Sequence, residues 1–318
     1  MASKPRKERP SLAWLTISYL GNGQVGLPGV GSEFGQFGLS HSRDIVHKVR
    51  RYGRGPYTVA VVHGGPGAAG EMAEVARELA SARGVLEPLQ TADSVTGQVE
   101  ELRKVLEENA ALPVTLIGFS WGAWLSTILA ALHPHCLGKL VLVSSGPFEE
   151  KDAGGIMETR LGRLGMEERG EAESLMARIT GASVRADADL KRFGELMSVA
   201  DAYAPLPGRG NPLPSNQEIY NRVWSEASKM RSSGELLRLA GQVECPVVAI
   251  HGDHDPHPAA SIGRLAGVFS EFRFVVLEKC GHHPWLERHA RDEFFDIIRA
   301  EVGSPGTSCS VTDISEKD

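Results

Sequence analysis

The stretch Val114-Thr115-Leu116-Ile117-Gly118-Phe119-Ser120-Trp121-Gly122 decides how the chain is read. Its first four residues are β-branched or apolar and carry no charge, the composition of a short buried strand. The residues from Trp121 to about Leu132 are rich in Ala and Leu and read as a helix. Between them, residues 118–122 form a G-x-S-x-G set that places a serine on a sharp strand-to-helix turn. So tight a turn strains the serine's backbone, and the glycines two residues to either side let neighbouring chain pass without a Cβ clash. The hydroxyl is lifted above the sheet edge beside a helix N-terminus, whose positive potential faces any developing anion. Ser120 is therefore the candidate nucleophile.

Working outward, short apolar runs alternate with helical periods. Strands are expected at residues 58–63, 84–89, 114–117, 137–143, 247–251 and 272–277. Helices are expected at 69–82, 94–109, 121–132, 259–269 and 285–302. This beat is the signature of βαβ units and a mostly parallel sheet. It breaks between about 148 and 241, where charged helical segments and a Pro-rich stretch at 205–214 carry no strand signal. That length is too great for a loop, so it reads as a helical insertion over the strand ends. The expected organisation is a loosely docked leader at 1–55, a core at 56–147 and 242–303, a helical cap at 148–241 and a disordered tail at 304–318. Alternation at Leu15, Ile17 and Tyr19 also allows an edge hairpin within the leader.

Composition bounds the function. A 318-residue chain that is 42% hydrophobic and 23% charged has the balance of a globular protein and can bury a large core. No apolar run approaches the ~20 residues needed to cross a bilayer, and no secretory h-region follows the basic start. The four cysteines, Cys136, Cys245, Cys280 and Cys309, show no CxxC spacing, which argues against a disulfide framework or structural zinc and for a reducing cytoplasm. The net charge of −6 divides into +6 over residues 1–54 (nine basic, three acidic) and −12 over the rest. The basic head lacks the aromatic interleaving of a nucleic-acid module, so neither a nucleic-acid nor a membrane partner is expected.

A serine at its free pKa needs a base, an orienting acid and donors for the oxyanion. His63-Gly64-Gly65-Pro66-Gly67, directly after a strand, can aim backbone N–H groups into the site. The expected oxyanion donors are Gly65 and Trp121, with Gly64 beside them. The loop lacks the spacing of a phosphate cradle. The acid and base follow in the order Ser, Asp, His: His251-Gly252-Asp253-His254-Asp255-Pro256 after one strand, Cys280-Gly281-His282-His283-Pro284-Trp285 after the next. Asp255 is favoured over Asp253 because it lies where the loop turns toward the next helix, and His282 over His283 because a residue before proline is biased extended. Trp124 and Trp285, with Gly64, are substrate-pocket candidates. The cluster His251, Asp253, His254, Asp255 and His257 has metal-ligand chemistry, but adjacent loop residues rarely converge on one ion. No metal or cofactor is expected.

The motifs HGGPG at 63–67, GFSWG at 118–122, HGDHDP at 251–256 and CGHHPW at 280–285, in this order, resemble the α/β-hydrolase superfamily over residues 57–302. Within it, HGGPG and SWG look like the proline iminopeptidase branch. The resemblance implies a mostly parallel sheet flanked by helices under a helical cap, with Ser120 as nucleophile, Asp255 as acid and His282 as base. The chain departs from that branch at residues 87–94, which lack a D-x-R-G-x-G-x-S turn, and at Phe119, where glycine is usual. It shows no motif that places an amine-binding acid in the cap. The expectation is a serine hydrolase that cleaves a small-molecule ester or amide through an acyl-enzyme. The alternatives are a proline iminopeptidase-like aminopeptidase, a C–C hydrolase or perhydrolase with the same triad, and a non-catalytic ligand-binding protein. The sequence does not set the oligomeric state.

Overall fold

The computed structural model describes residues 49–67, 69–180, 186–207 and 216–303. The possible hairpin at Leu15–Tyr19 and the tail at 304–318 lie outside them. Seven strands form one sheet in the order β1-β3-β2-β4-β5-β6-β7: β1 Val49–Tyr52, β2 Tyr57–Val62, β3 Gly84–Pro88, β4 Val114–Phe119, β5 Leu137–Val143, β6 Val247–Gly252 and β7 Phe272–Leu277. Only β1 runs antiparallel, pairing Val49 with Pro88 through Tyr52 with Val85. The leader boundary expected at residue 55 is thus corrected, because the chain joins the sheet at Val49. Arg50 and Arg51 hid this strand, and an edge strand accommodates them because one of its sides faces solvent. Arg50 also meets the buried Glu87 carboxylate at 3.5 Å, and the Tyr52 hydroxyl donates to it at 2.6 Å.

Alternating residues of each strand feed two cores. Ala60 and Val62 of β2, Leu116 of β4, Leu140 and Leu142 of β5 and Ala249 of β6 point to one face. There they meet α2 (Val95–Asn109), α3 (Trp121–Leu132) and α8 (Glu235–Ala240). Val59 and Val61, Ile117 and Phe119, Val141 and Val143, and Val248 and Ile250 point to the other, against α1 (Ala73–Leu79) and α10 (Arg291–Glu301). The period of two is what a sheet covered on both faces requires. Ser94 caps α2 by accepting from the Gly97 N–H. Three expected helices are shorter than read: α1 starts at Ala73, α9 spans only Ala259–Gly263 before a 3-10 turn, and α10 starts at Arg291.

Sheet order also locates the functional edge. From β2 the chain winds to β3 on one side, then returns to β4 on the other, so the loops after β2 and β4 diverge at a topological switch point. Ligand crevices of open α/β sheets form there. Between β5 and β6 lie α4 (Ile156–Arg163), α5 (Met166–Thr180), α6 (Ala186–Asp201), α7 (Gln217–Ser232) and α8, and the described part of this insertion contains no strand. Leu164, Ala172, Leu175, Leu196, Met197 and Ala200 give it a small core of its own.

The insertion is stitched to the loop that carries His282. Glu287 is 1% exposed. Its Oε1 accepts from the Tyr203 N–H at 2.8 Å and the Gly281 N–H at 3.1 Å, and its Oε2 from the Ala204 N–H at 2.7 Å. Removing this carboxylate strands three donors. Glu287→Ala is expected to cost about 3 kcal/mol and to lower Tm by roughly 5–10 °C in a thermal melt, with Glu287→Gln, which keeps one acceptor oxygen, falling in between.

Candidate active site

The turn at Ser120 is set by steric exclusion. Ser120 has φ 51° and ψ −112°, a positive-φ conformation that a non-glycine residue adopts only when its surroundings over-determine it. A Cβ on Gly118 would lie 2.3 Å from the Gly122 carbonyl oxygen, and one on Gly122 would lie 2.5 Å from the Val62 oxygen and 2.6 Å from that of His63. Both glycines are therefore needed, and the second draws the start of α3 against the end of β2. The Ser120 N–H donates to the Val143 carbonyl at 2.9 Å, tying the turn to β5. The Trp121 N–H opens α3, where first-turn donors have no acceptor within the helix.

The loop after β2 is held at both ends. His63 is buried and donates from Nδ1 to the Gly64 carbonyl at 2.6 Å, and burial pushes its pKa down. Gly67, with φ 79°, leaves no room for a side chain beneath the Asn216 carbonyl, 2.6 Å from its would-be Cβ. Between them Gly65 takes φ 34°. The Gly64 N–H, expected beside the oxyanion donors, is already taken by Glu71 Oε2 at 3.1 Å. Glu71 also accepts from His283 Nε2 at 3.1 Å through Oε1.

Asp255 is enclosed by histidines. Its Oδ2 accepts from His282 Nδ1 at 2.8 Å, and its Oδ1 from the His257 N–H at 2.9 Å and His257 Nδ1 at 2.8 Å. Burial alone would raise this carboxyl, but the imidazoles of His282, His251 and His257 outweigh it and hold the group well below the usual carboxylate range. For His282 burial acts downward, and the Asp255 carboxylate overcomes it and raises the pKa. For His257 burial prevails over the same carboxylate and brings the pKa to about 4.

Asp255 and His282 are thus brought together. Asp253 is not: its Oδ1 accepts from the Cys280 N–H at 3.0 Å and braces the next loop. His283 turns to Glu71, and the Phe119 ring packs against both neighbours, with centroids 4.9 Å from His282 and 5.0 Å from His283. The five-residue cluster divides: His251 and His257 stay beside Asp255, whereas Asp253 turns to the Cys280 N–H and the His254 ring packs on Tyr203. The pocket candidates Trp124 and Trp285 are corrected: each is 2% exposed. Trp285 packs edge-on against Phe119 at 4.7 Å. Trp124 donates to the Gly146 carbonyl at 3.0 Å and stacks on Trp224 of α7 at 5.7 Å. Both are filler between elements, the common fate of apolar aromatics near a site.

Several residues had escaped the sequence reading. The Asp201 carbonyl, at the end of α6, accepts the His282 N–H at 2.9 Å, while its carboxylate takes both Nε and Nη2 of Arg160 at 2.7 Å. Arg160, Asp201 and Glu71 belong to no motif of the sequence. Only their convergence in space marks them.

The profile of the alpha/beta hydrolase family matches residues 26–297. The biotin biosynthesis bifunctional protein BioHC of Teredinibacter turnerae is 31% identical over 204 residues, which cover 63% of this chain and 34% of that protein. The chain therefore spans about a third of that relative's length. Among solved structures, VinJ superposes with a TM-score of 0.61 at 18% identity over 80% of this chain and 93% of its own. The proline iminopeptidase of Mycobacterium smegmatis does so with 0.54 at 17%, over 80% and 93%. At these identities the likeness is one of fold.

The histidines set an acid sensitivity. The unfolded His257 imidazole takes a proton near its ordinary 6.5, the folded one only near 4, so the unfolded state binds more protons between these values and stability falls as pH falls through that window. The full effect is on the order of 3 kcal/mol. The depressed His63 and His254 add to the same slope. His257→Gln is expected to flatten it in chemical denaturation between pH 6.5 and 4. An unchanged slope would show that His257 charges freely in the folded protein.

Proposed function

The chain belongs to the alpha/beta hydrolase family and is in class a hydrolase, and from that premise we propose that it is a serine hydrolase acting on a small-molecule ester or amide through an acyl-enzyme. The observation that carries this reading is the 2.8 Å contact of His282 Nδ1 with Asp255 Oδ2, on the loops after β6 and β7, at the same sheet edge as the strained Ser120. In this reading the Ser120 hydroxyl attacks the substrate carbonyl while His282 Nε2 takes its proton. Asp255 holds the imidazole by its Nδ1–H and stabilises the imidazolium that forms. The Gly65 and Trp121 N–H groups receive the oxyanion. As the tetrahedral adduct collapses, His282 gives the proton to the leaving oxygen or nitrogen. A water molecule, deprotonated by His282, then attacks the acyl-enzyme, releases the acid and restores Ser120.

Glu71 acts on this machinery from outside. By holding the Gly64 N–H and His283 Nε2 it joins the loop of the oxyanion donor to the loop of the base, so that Gly65 and His282 keep a common frame. The HGGPG and SWG motifs favour N-terminal proline amides as a second substrate class. Against it stands the buried Asp201 of the insertion, whose carbonyl holds the His282 N–H: each of its carboxylate oxygens already accepts from the Arg160 guanidinium, with which a substrate amine would have to compete. The unpaired thiols of Cys136, Cys245 and Cys280 suit the expected cytoplasmic setting, and no described helix is long and apolar enough to cross a membrane.

Ser120→Ala and His282→Ala are each expected to lower kcat on a p-nitrophenyl ester by about 10⁴-fold or more. Near-native turnover by purified Ser120→Ala would remove the mechanism. The rate should climb with pH as His282 loses its proton, with a midpoint above the ordinary imidazole value of 6.5 because its pKa is raised. Glu71→Ala should lower kcat about tenfold or more with little change in KM, since it disturbs the oxyanion donor and not substrate docking. Proline anilides against acetyl esters separate the two substrate classes.

A further inference from the structure

Among the described residues, two groups of side chains place metal-ligand atoms within 4.8 Å of one another. One is Asp255, His257 and His282, which belongs to the candidate active site already described. The other, Glu107, His135 and Cys136, lies elsewhere. Glu107 sits near the C-terminal end of α2, and His135 and Cys136 form the turn that leads from α3 into β5. That turn precedes β5, whereas Ser120 follows the parallel β4, so this cluster occupies the opposite end of the sheet from the candidate active site.

The geometry is that of a partly assembled tetrahedron. His135 Nε2 is 3.3 Å from Glu107 Oε1 and 3.4 Å from Cys136 Sγ. A tetrahedral zinc ion with bonds of about 2.0–2.1 Å to N and O and 2.3 Å to S has ligand edges of about 3.3–3.6 Å. Two of the three edges are therefore already at coordination length, and the third, from Glu107 to Cys136, lies within 4.8 Å. The carboxylate is pre-oriented, because Glu107 Oε2 accepts from Arg103 Nη1 and leaves Oε1 facing His135. Outer carboxylate contacts of this kind are what orient metal ligands. His133 and Glu100, 3.6 Å apart, flank the cluster. The His135 side chain is 60% exposed and stands 3.4 Å from the buried Cys136 thiol.

We propose that Glu107, His135 and Cys136 bind a borderline-soft divalent cation of the zinc class, with water in the fourth position. Binding exchanges the Cys136 thiol proton for a metal–sulfur bond, with no change of oxidation state. It clamps the end of α2 to the entry of β5 and so acts on stability, away from hydrolysis. Cysteine spacing alone argued against zinc, because it tests for CxxC pairs and this set draws its third ligand from another helix.

The test uses the full chain, freed of metal with a chelator and titrated with CoCl2 and then ZnCl2. The expected result is one equivalent of cobalt with a near-ultraviolet thiolate-to-cobalt band, displaced by zinc, together with a rise in Tm and unchanged ester turnover. His135→Gln and Glu107→Gln, both changes at exposed side chains, should weaken binding by about tenfold or more, and Cys136→Ser should abolish the band. The proposal is overturned if the wild type shows no thiolate band or if the band persists unchanged in His135→Gln, which would assign it to Cys245, Cys280 or Cys309. It is equally overturned if zinc binds with the same affinity to His135→Gln and suppresses turnover, which would place the ion on the Asp255, His257 and His282 group.

Discussion

Everything at the functional edge depends on one backbone conformation, the positive φ of Ser120. Left to itself, such a residue relaxes at a gain of about 1–3 kcal/mol. It is held because Gly118 and Gly122 let three pieces of main chain close around it: the first turn of α3, the end of β2 and the end of β5. The parallel sheet sets the spacing of those pieces, and the two cores on its faces set their rigidity. The same closeness brings the loop after β2, with Gly65 at φ 34°, beside the N-terminus of α3. A strained turn and two candidate oxyanion donors are thus consequences of a single packing arrangement.

Electrostatics at the site follow from burial and the charges around it. Asp255 keeps its charge only because histidines saturate it, and each histidine answers differently according to the balance of burial and carboxylate: His282 moves up and His257 moves down. The pair His282 and Asp255 is therefore the one that gains by charging, which suits a base that must become an imidazolium. Asp201 from the insertion side and Glu287 from the stretch after the histidines tie the main chain of the same loop to the insertion. The insertion and the His282 loop cannot shift independently without breaking those bonds.

Much of this was legible in the sequence, for identifiable reasons. The runs at 58–63, 114–117 and 140–143 are largely apolar and feed both cores, so their strand signal is clear. Ser120, Asp255 and His282 stand in loops whose glycines and order along the chain carry the information. What stayed hidden depends on contacts between distant segments. Glu71 has no local mark that separates it from Glu74 or Glu78, and only the Gly64 N–H and His283 around it give it a role. β1 was masked by its own arginines. The aromatic residues misled because size and apolarity do not distinguish a pocket wall from core, and Trp285 belongs to the core beneath the loop.

The central claim is that Ser120 is an activated nucleophile facing the Gly65 and Trp121 donors. Its most direct test is a structure of the protein after reaction with a fluorophosphonate, with the adduct located by peptide mass mapping. The account predicts a phosphonyl group on Ser120 Oγ, its non-bridging oxygen within hydrogen-bond distance of both N–H groups and His282 Nε2 beside Oγ. A folded protein that stays unlabelled, or an adduct on Ser120 whose oxygen points away from Gly65 and Trp121, would contradict it.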